Sequence, residues 1–137
     1  IVIDVGAQVR VSVVLVRSQR TKKGKVISIE PDTSNLIVLK KNIAINKLKN
    51  TIVLPIALGC SNGQKKFYAG IMPTGSSFYP THTRVLCKVR ETKGIKTVTL
   101  DSLLKELKIR DVDWMKIDVE NADLDVLRGG ESVLRVR

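Results

Sequence analysis

The chain has 137 residues, a length typical of one domain, so we expect residues 1–137 to form a single domain. Its 24 Lys and Arg residues outnumber its 13 Asp and Glu residues, which gives a net charge of +11. No apolar run reaches the roughly 20 residues of a membrane span and no signal peptide is visible, which argues against a transmembrane segment in this sequence. Cys60 and Cys87 lack CxxC spacing, so we expect a reducing, cytoplasmic setting without a disulfide or a metal site.

Residues 1–6, "IVIDVG", form an apolar run that ends in a glycine turn, a pattern typical of a buried parallel strand. Residues 25–31, "KVISIEP", repeat the pattern and end in an acid and a proline. Two parallel strands need a crossover, so we expect a helix within residues 8–24, although the β-branched residues 9–16 favour a strand by propensity. Residues 32–50 predict a second helix, with Asp32 among its candidate caps.

Residues 51–59 predict a third buried strand, and residues 64–90 show no helical period, which predicts a β-hairpin insertion. Residues 99–107 have apolar side chains at helical spacing, with Asp101 as the expected cap. A fourth strand is predicted over 111–120 and a helix over 122–134, ending or bending at its Gly-Gly pair. The alternation predicts an α/β fold whose sheet is mainly parallel, with helices on both faces.

Small and acidic residues follow the first two predicted strands. Asp4 and Gly6 end the first strand, and Glu30 ends the second. In open α/β sheets ligands bind outside the carboxyl ends of the strands, where a glycine admits a close approach and an acid accepts hydrogen bonds from a ribose diol. These residues therefore indicate a nucleotide-like ligand, the alternative being tight strand–helix packing with an exposed glutamate.

Several motifs in order along the chain resemble one family, namely "VIDVGA", "VISIEPD", "LKKNIAINKLKNTIVLPIALG", "TVTLDSLLKEL" and "MKIDVENADLDVLRGG". The chain is similar to the FkbM-type S-adenosylmethionine-dependent methyltransferases. The resemblance implies a Rossmann-like methyltransferase fold, S-adenosylmethionine as cofactor, and O-methylation of hydroxyl groups on sugars or small metabolites. It also implies roles for individual residues: Asp4, Gly6 and Ala7 would form the first cofactor loop, Glu30 would hold the ribose hydroxyls, and Ala57 would lie near the adenine.

Asp118 and Glu120 end the predicted fourth strand, beside the expected acceptor site. Carboxylates two residues apart on a strand share a face, so either could act as general base on an acceptor hydroxyl, with Lys116 on the same face. The alternative is that one of them caps the helix that starts near Ala122. Metal binding by this pair is unsupported, because no histidine joins it.

The sequence departs from the family pattern at a few positions. Arg10 stands where the family has the second glycine of its first loop, and Asn121 stands where it has glycine. The arginine predicts either a weakened cofactor site or a guanidinium that pairs with the cofactor's carboxylate. The chain also stops after the fourth core strand, so we expect either an open sheet edge that a second copy covers or a piece clipped from a longer protein.

Two further hypotheses follow from these features. The chain could be a catalytically inactive methyltransferase-fold remnant that acts as a scaffold or dimer partner. It could also be a basic RNA-binding or RNA-modifying domain, because its lysines come in bursts that could contact phosphates. A solvated lysine-rich surface explains the bursts as well, and the aromatic content of 4% supplies few platforms for base stacking, so nucleic acid is not the favoured partner. Three expectations concern single residues. We expect the lone histidine, His82, to be exposed, and Ser76 and Ser77 to form a turn. Trp114 is expected to lie in the core.

Overall fold

The computed structural model describes residues 1–9, 24–71, 76–79 and 89–135, and the chain divides into two compact units. The first unit comprises Ile1–Pro55 and Asp111–Asp118, and the second comprises Ile56–Arg110 and Val119–Arg137. Nearly all of the predicted crossover helix falls outside the described residues. The single domain over residues 1–137 stays a prediction.

The described elements follow one another in the order β1 (Val2–Val5), β2 (Val26–Ile29), α1 (Thr33–Ile45), β3 (Thr51–Leu54), β4 (Ala57–Leu58), β5 (Gly63–Gly70), β6 (Val89–Val98), α2 (Leu100–Glu106), β7 (Trp114–Ile117), α3 (Asp123–Arg128) and α4 (Glu131–Leu134). Strands and helices alternate in much of the chain, which confirms the predicted α/β class. No helix in the described parts of the chain is long and apolar enough to cross a bilayer.

The first unit is built on a sheet of four parallel strands in the order β3-β2-β1-β7. Its two central strands are buried, as their mainly apolar sequences predict: Ile3, Val5, Ile27 and Ile29 are each at most 2% exposed. Parallel pairing brings the carboxyl ends of these strands to one edge of the sheet. The mainly parallel sheet predicted from the sequence is therefore confirmed.

Helix α1 begins where its sequence predicts. The side chain of Asp32 accepts a hydrogen bond from the backbone N–H of Ser34 at 2.8 Å, which satisfies one of the donors left open at a helix N-terminus. Leu36 and Leu39 are buried on one face of the helix. The helix ends at Ile45 rather than at 50, and Lys47 follows in the left-handed region with a φ of 53°.

The second unit contains a three-stranded sheet in the order β4-β6-β5. Strands β5 and β6 pair antiparallel, which confirms the predicted hairpin, but β6 extends to Val98 and so beyond the predicted insertion. The strand predicted over 51–59 is in fact two strands in two different sheets, separated at Pro55. Proline has no N–H to donate to a ladder, which explains an interruption at this position.

Three local predictions in the later part of the chain need correction. The cap of α2 is Thr99, whose side chain accepts from the Ser102 N–H, while Asp101 instead accepts from two N–H groups at α4. Neither Asp118 nor Glu120 caps α3, because its N-cap is Ala122, with no side-chain cap hydrogen bond. Trp114 is 46% exposed rather than core, because β7 pairs only with β1 among the described strands.

Candidate functional site

The loop after β1 is hydrogen-bonded to the last residue of β2. The backbone N–H groups of Gly6 and Ala7 both donate to the carbonyl of Ile29, at 3.0 and 3.1 Å. Gly6 has a φ of 73° and Gln8 a φ of 51°, both in the left-handed region. Glycine adopts this conformation freely, whereas glutamine does so at a steric cost. The loop is therefore held in a strained shape of the kind that is concentrated at ligand sites.

Glu30 connects this loop to the start of α1. Its Oε2 accepts from the backbone N–H of Gln8 at 2.8 Å, and its Oε1 accepts from the N–H of Asp32 at 2.8 Å and from the amide of Asn35 at 3.4 Å. The side chain is only 3% exposed. Burial raises the pKa of Glu30 above its ordinary value of 4.5, and these donors oppose that rise because they stabilise the charged form.

Lys116 on β7 contacts three oxygen atoms of the first unit. Its Nζ lies 3.2 Å from Asp4 Oδ1, 3.1 Å from the Gly6 carbonyl oxygen and 3.5 Å from Asp118 Oδ2. The carboxylate of Asp4 is buried, whereas that of Asp118 is half-exposed. The lysine thus links the loop after β1 to the carboxylate that follows β7.

The prediction that Asp118 and Glu120 share a face of one strand is wrong. Strand β7 ends at Ile117, and Glu120 and Asn121 both have positive φ, 47° and 72°. Side chains alternate between faces only in extended backbone, so strand periodicity does not place the two carboxylates on one face. Asp118 belongs to the first unit, and its N–H donates to the Val5 carbonyl at 3.1 Å.

Glu120 belongs to the second unit, where Ser77 holds its turn. The hydroxyl of Ser77, a residue 1% exposed, donates to the Glu120 carbonyl at 2.8 Å and accepts from the Tyr79 N–H at 3.1 Å. Ser77 also pairs with Tyr68 as an isolated β-bridge. The hydroxyl of Ser76 accepts from the Gly70 N–H at 3.0 Å. Both serines therefore have bonding roles within this unit.

Ala57, expected near the adenine, lies in the second unit. It is 5% exposed and belongs to an apolar cluster with Phe67, Ala69 and Ile95. His82 and Arg10 lie outside the described residues. Among the described residues, no group of three or more His, Cys, Asp or Glu side chains could hold a metal ion.

The sheet edge of the first unit assembles most of the residues expected at the site. It brings together the predicted cofactor residues Asp4, Gly6, Ala7 and Glu30, and it also holds Asp118. Sequence reasoning missed two contributors, the N–H of Gln8 and the buried amide of Asn35. A signal for Asn35 was available, because a polar residue beside Leu36 on the buried face of α1 needs a polar partner.

Comparisons with known proteins give the family and the fold of this chain. Residues 4–137 match the methyltransferase FkbM domain, and the chain therefore belongs to the FkbM methyltransferase family. A solved structure, methyltransferase FkbM from Methylobacillus flagellatus KT, is similar in fold with a TM-score of 0.59 and 19% identity. The likeness covers 97% of this chain but 29% of that protein, so the chain spans less than a third of its length. No curated protein sequence matches significantly.

Proposed function

We propose that this chain binds S-adenosylmethionine at the carboxyl edge of the four-stranded sheet and transfers its methyl group to an oxygen acceptor. The acceptor we infer is a hydroxyl group of a sugar or of another small metabolite. The observation that carries the proposal is the contact of Glu30 with the Gln8 N–H, which joins the acid at the end of β2 to the loop after β1.

The chemistry of this edge fits the cofactor. A carboxylate offers about four acceptor positions, of which the described residues use three at Glu30. The contact from Asn35 is the longest of them at 3.4 Å and the easiest to replace. Glu30 can therefore accept from ribose hydroxyls without losing its two short bonds to backbone N–H groups.

The methyl transfer itself requires little of the protein beyond alignment and one weak base. S-adenosylmethionine supplies a methyl group that its sulfonium already activates. Asp118 is the better placed base of the two predicted, because its carboxylate is 49% exposed and follows the strand next to β1. It would take the hydroxyl proton as the acceptor oxygen bonds to the methyl carbon and the carbon–sulfur bond breaks. Glu120 is the alternative base.

Calorimetric titration with S-adenosylhomocysteine tests the cofactor part of this proposal. We expect binding in the micromolar range, weakened about tenfold by Glu30→Gln because the amide places an NH₂ group among N–H donors. Glu106→Gln, an exposed glutamate on α2, is the matched control and should bind as the unchanged chain does.

Arg10→Gly belongs in the same experiment, because it restores the glycine of the family pattern. Binding by this variant alone would support the site and contradict methyl transfer by the natural chain. Absence of binding by both chains would contradict the proposed cofactor site. Release of S-adenosylhomocysteine from S-adenosylmethionine in the presence of sugar or metabolite hydroxyls tests the acceptor class, and transfer to nitrogen or carbon acceptors alone would contradict it.

A further inference from the structure

We propose that Lys116 is a positioning residue, whose ammonium group fixes the loop after β1 relative to the carboxylate of Asp118. The functional part of this inference rests on the proposed function, whereas the effect on the loop does not. Lys116 acts through the groups that it holds, and no contact with a cofactor or an acceptor is required of it.

Lys116 stands at the end of a polar row that crosses the sheet. Ser28 on β2, Asp4 on β1 and Lys116 on β7 are direct neighbours across three parallel strands, so their side chains share one face. Central strands of parallel sheets are normally apolar on both faces. Ser28 and Asp4 are fully buried, and the Ser28 hydroxyl has no hydrogen-bond partner in the described structure. A polar row in this place needs a reason, and the ion pair supplies one.

The ammonium group donates hydrogen bonds to two of the oxygens around it and forms an ion pair with the third. Lysine has three N–H donors, and three oxygens surround Nζ: Asp4 Oδ1 at 3.2 Å, the Gly6 carbonyl at 3.1 Å and Asp118 Oδ2 at 3.5 Å. One of these belongs to the buried end of β1, one to the strained loop and one to the half-exposed carboxylate. A single group therefore connects three parts of the proposed site.

Removal of the ammonium has a different effect at each contact. The buried Asp4 carboxylate loses its cation, and the Gly6 carbonyl loses a donor, in the loop where Gly6 already has a φ of 73°. The Asp118 carboxylate loses the contact that orients it, although its backbone stays bound to Val5. We therefore expect a looser loop and weaker cofactor binding, because misplacement of a binding group reduces its contribution.

The test compares Lys116→Met and Lys116→Arg with Lys40→Met, a change at an exposed lysine on α1. Amide hydrogen exchange is measured on a peptide covering residues 4–9, with a peptide from α2 as reference. In Lys116→Met we expect exchange at residues 6–8 to accelerate about tenfold relative to the reference peptide, and the affinity for S-adenosylhomocysteine to fall about tenfold. Lys116→Arg should restore both to within about threefold, because it keeps the charge and the donors.

The outcomes separate this inference from the proposed function. Faster exchange at the loop in a chain that binds no S-adenosylhomocysteine would support the loop effect while the proposed function fails. Unchanged or tighter ligand binding by Lys116→Met would overturn the positioning role while the proposed function stands. Acceleration spread evenly over the loop and the reference peptide would also overturn it, because that pattern reports global destabilisation. Should Lys116→Met not fold, Lys116→Gln carries the same comparison, and both effects should then exceed the threefold limit set for Lys116→Arg, because the amide keeps a donor but loses the charge.

Discussion

The backbone N–H of Gln8 donates to Glu30 Oε2 at 2.8 Å, in a part of the molecule where both residues are buried. This bond joins two segments that are 22 positions apart in the sequence. Gln8 has a φ of 51°, so the loop presents this N–H to the carboxylate from a strained conformation. Glu30 is therefore both a structural acceptor and the proposed ribose ligand.

The raised pKa of Glu30 predicts opposite pH dependences for stability and for binding. Burial favours its neutral form, so this carboxyl stabilises the folded chain below its ordinary pKa of 4.5 and loses that contribution as the pH rises through the raised value. Ribose hydroxyls prefer the ionised acceptor, so the affinity for S-adenosylhomocysteine should rise over the same pH window. Urea denaturation and calorimetry across that window measure the two trends.

Glu30→Gln provides the control, because glutamine does not titrate. Both trends should flatten in this variant, and Glu106→Gln should keep them. If binding is equally pH-dependent in the natural chain and in Glu30→Gln, another group controls the affinity, and the ribose role of Glu30 is contradicted.

A second prediction concerns Asn121, which has a φ of 72°. Asparagine tolerates the left-handed region better than most residues, and glycine adopts it without a steric cost. We expect Asn121→Ala to lower the free energy of unfolding by about 1 kcal/mol relative to Asn121→Gly, since both variants lose the same side-chain contacts and only alanine adds strain. Urea unfolding of the two variants measures the difference, and equal stabilities would contradict this explanation of the glycine that the family has there.

The first unit shows how far the sequence determines a fold of this kind. Strands β1 and β2 are buried on both faces, and their short apolar runs predict parallel strands. The residues that follow these runs predict Gly6 and Glu30 as site residues. Gln8 and Asn35 escaped prediction because their contribution depends on backbone direction and on burial rather than on residue type. A backbone N–H is present at nearly every residue, so only the loop conformation identifies the one that reaches Glu30.

Two of the errors along the chain have a common physical origin. The predicted strands continue across points where the backbone leaves its regular conformation, at Pro55 and after Ile117. The sequence "DVDWMKIDVE" alternates well enough to suggest a long strand, yet only four of its residues pair with β1. Positive φ at Glu120, a residue type that seldom adopts it, is decided by tertiary contacts such as the Ser77 hydroxyl, which local pattern does not contain.

A third prediction concerns Gly129, where the sequence predicts a helix end and the structure gives a second reason for glycine. Helix α3 ends at Arg128, and Gly129 has a φ of −72°, which any residue can adopt. A methyl group at this position would lie 2.1 Å from the carbonyl oxygen of Gly59 and 3.3 Å from the Cα of Thr99. The contact is therefore steric, and it involves backbone rather than a flexible side chain.

The backbone of Gly59 has little freedom to move away. Its N–H donates to the Val98 carbonyl at 3.0 Å, which ties it to the end of β6, and the Gly129 carbonyl in turn accepts from the Asp101 N–H at 3.0 Å. We therefore expect Gly129→Ala to lower the free energy of unfolding by about 3 kcal/mol, at the upper end of the range for overpacked sites.

Gly94→Ala is the matched control, because a methyl group there would meet only the Gln64 side chain at an ordinary 3.6 Å. That change should alter stability by no more than about 0.5 kcal/mol, since β6 is exposed at this position. Thermal and urea unfolding of the two variants measure the contrast. A Gly129→Ala chain as stable as Gly94→Ala would show that the segments at Gly59 and Gly129 can separate at little cost, and the packing reason for this glycine would be wrong.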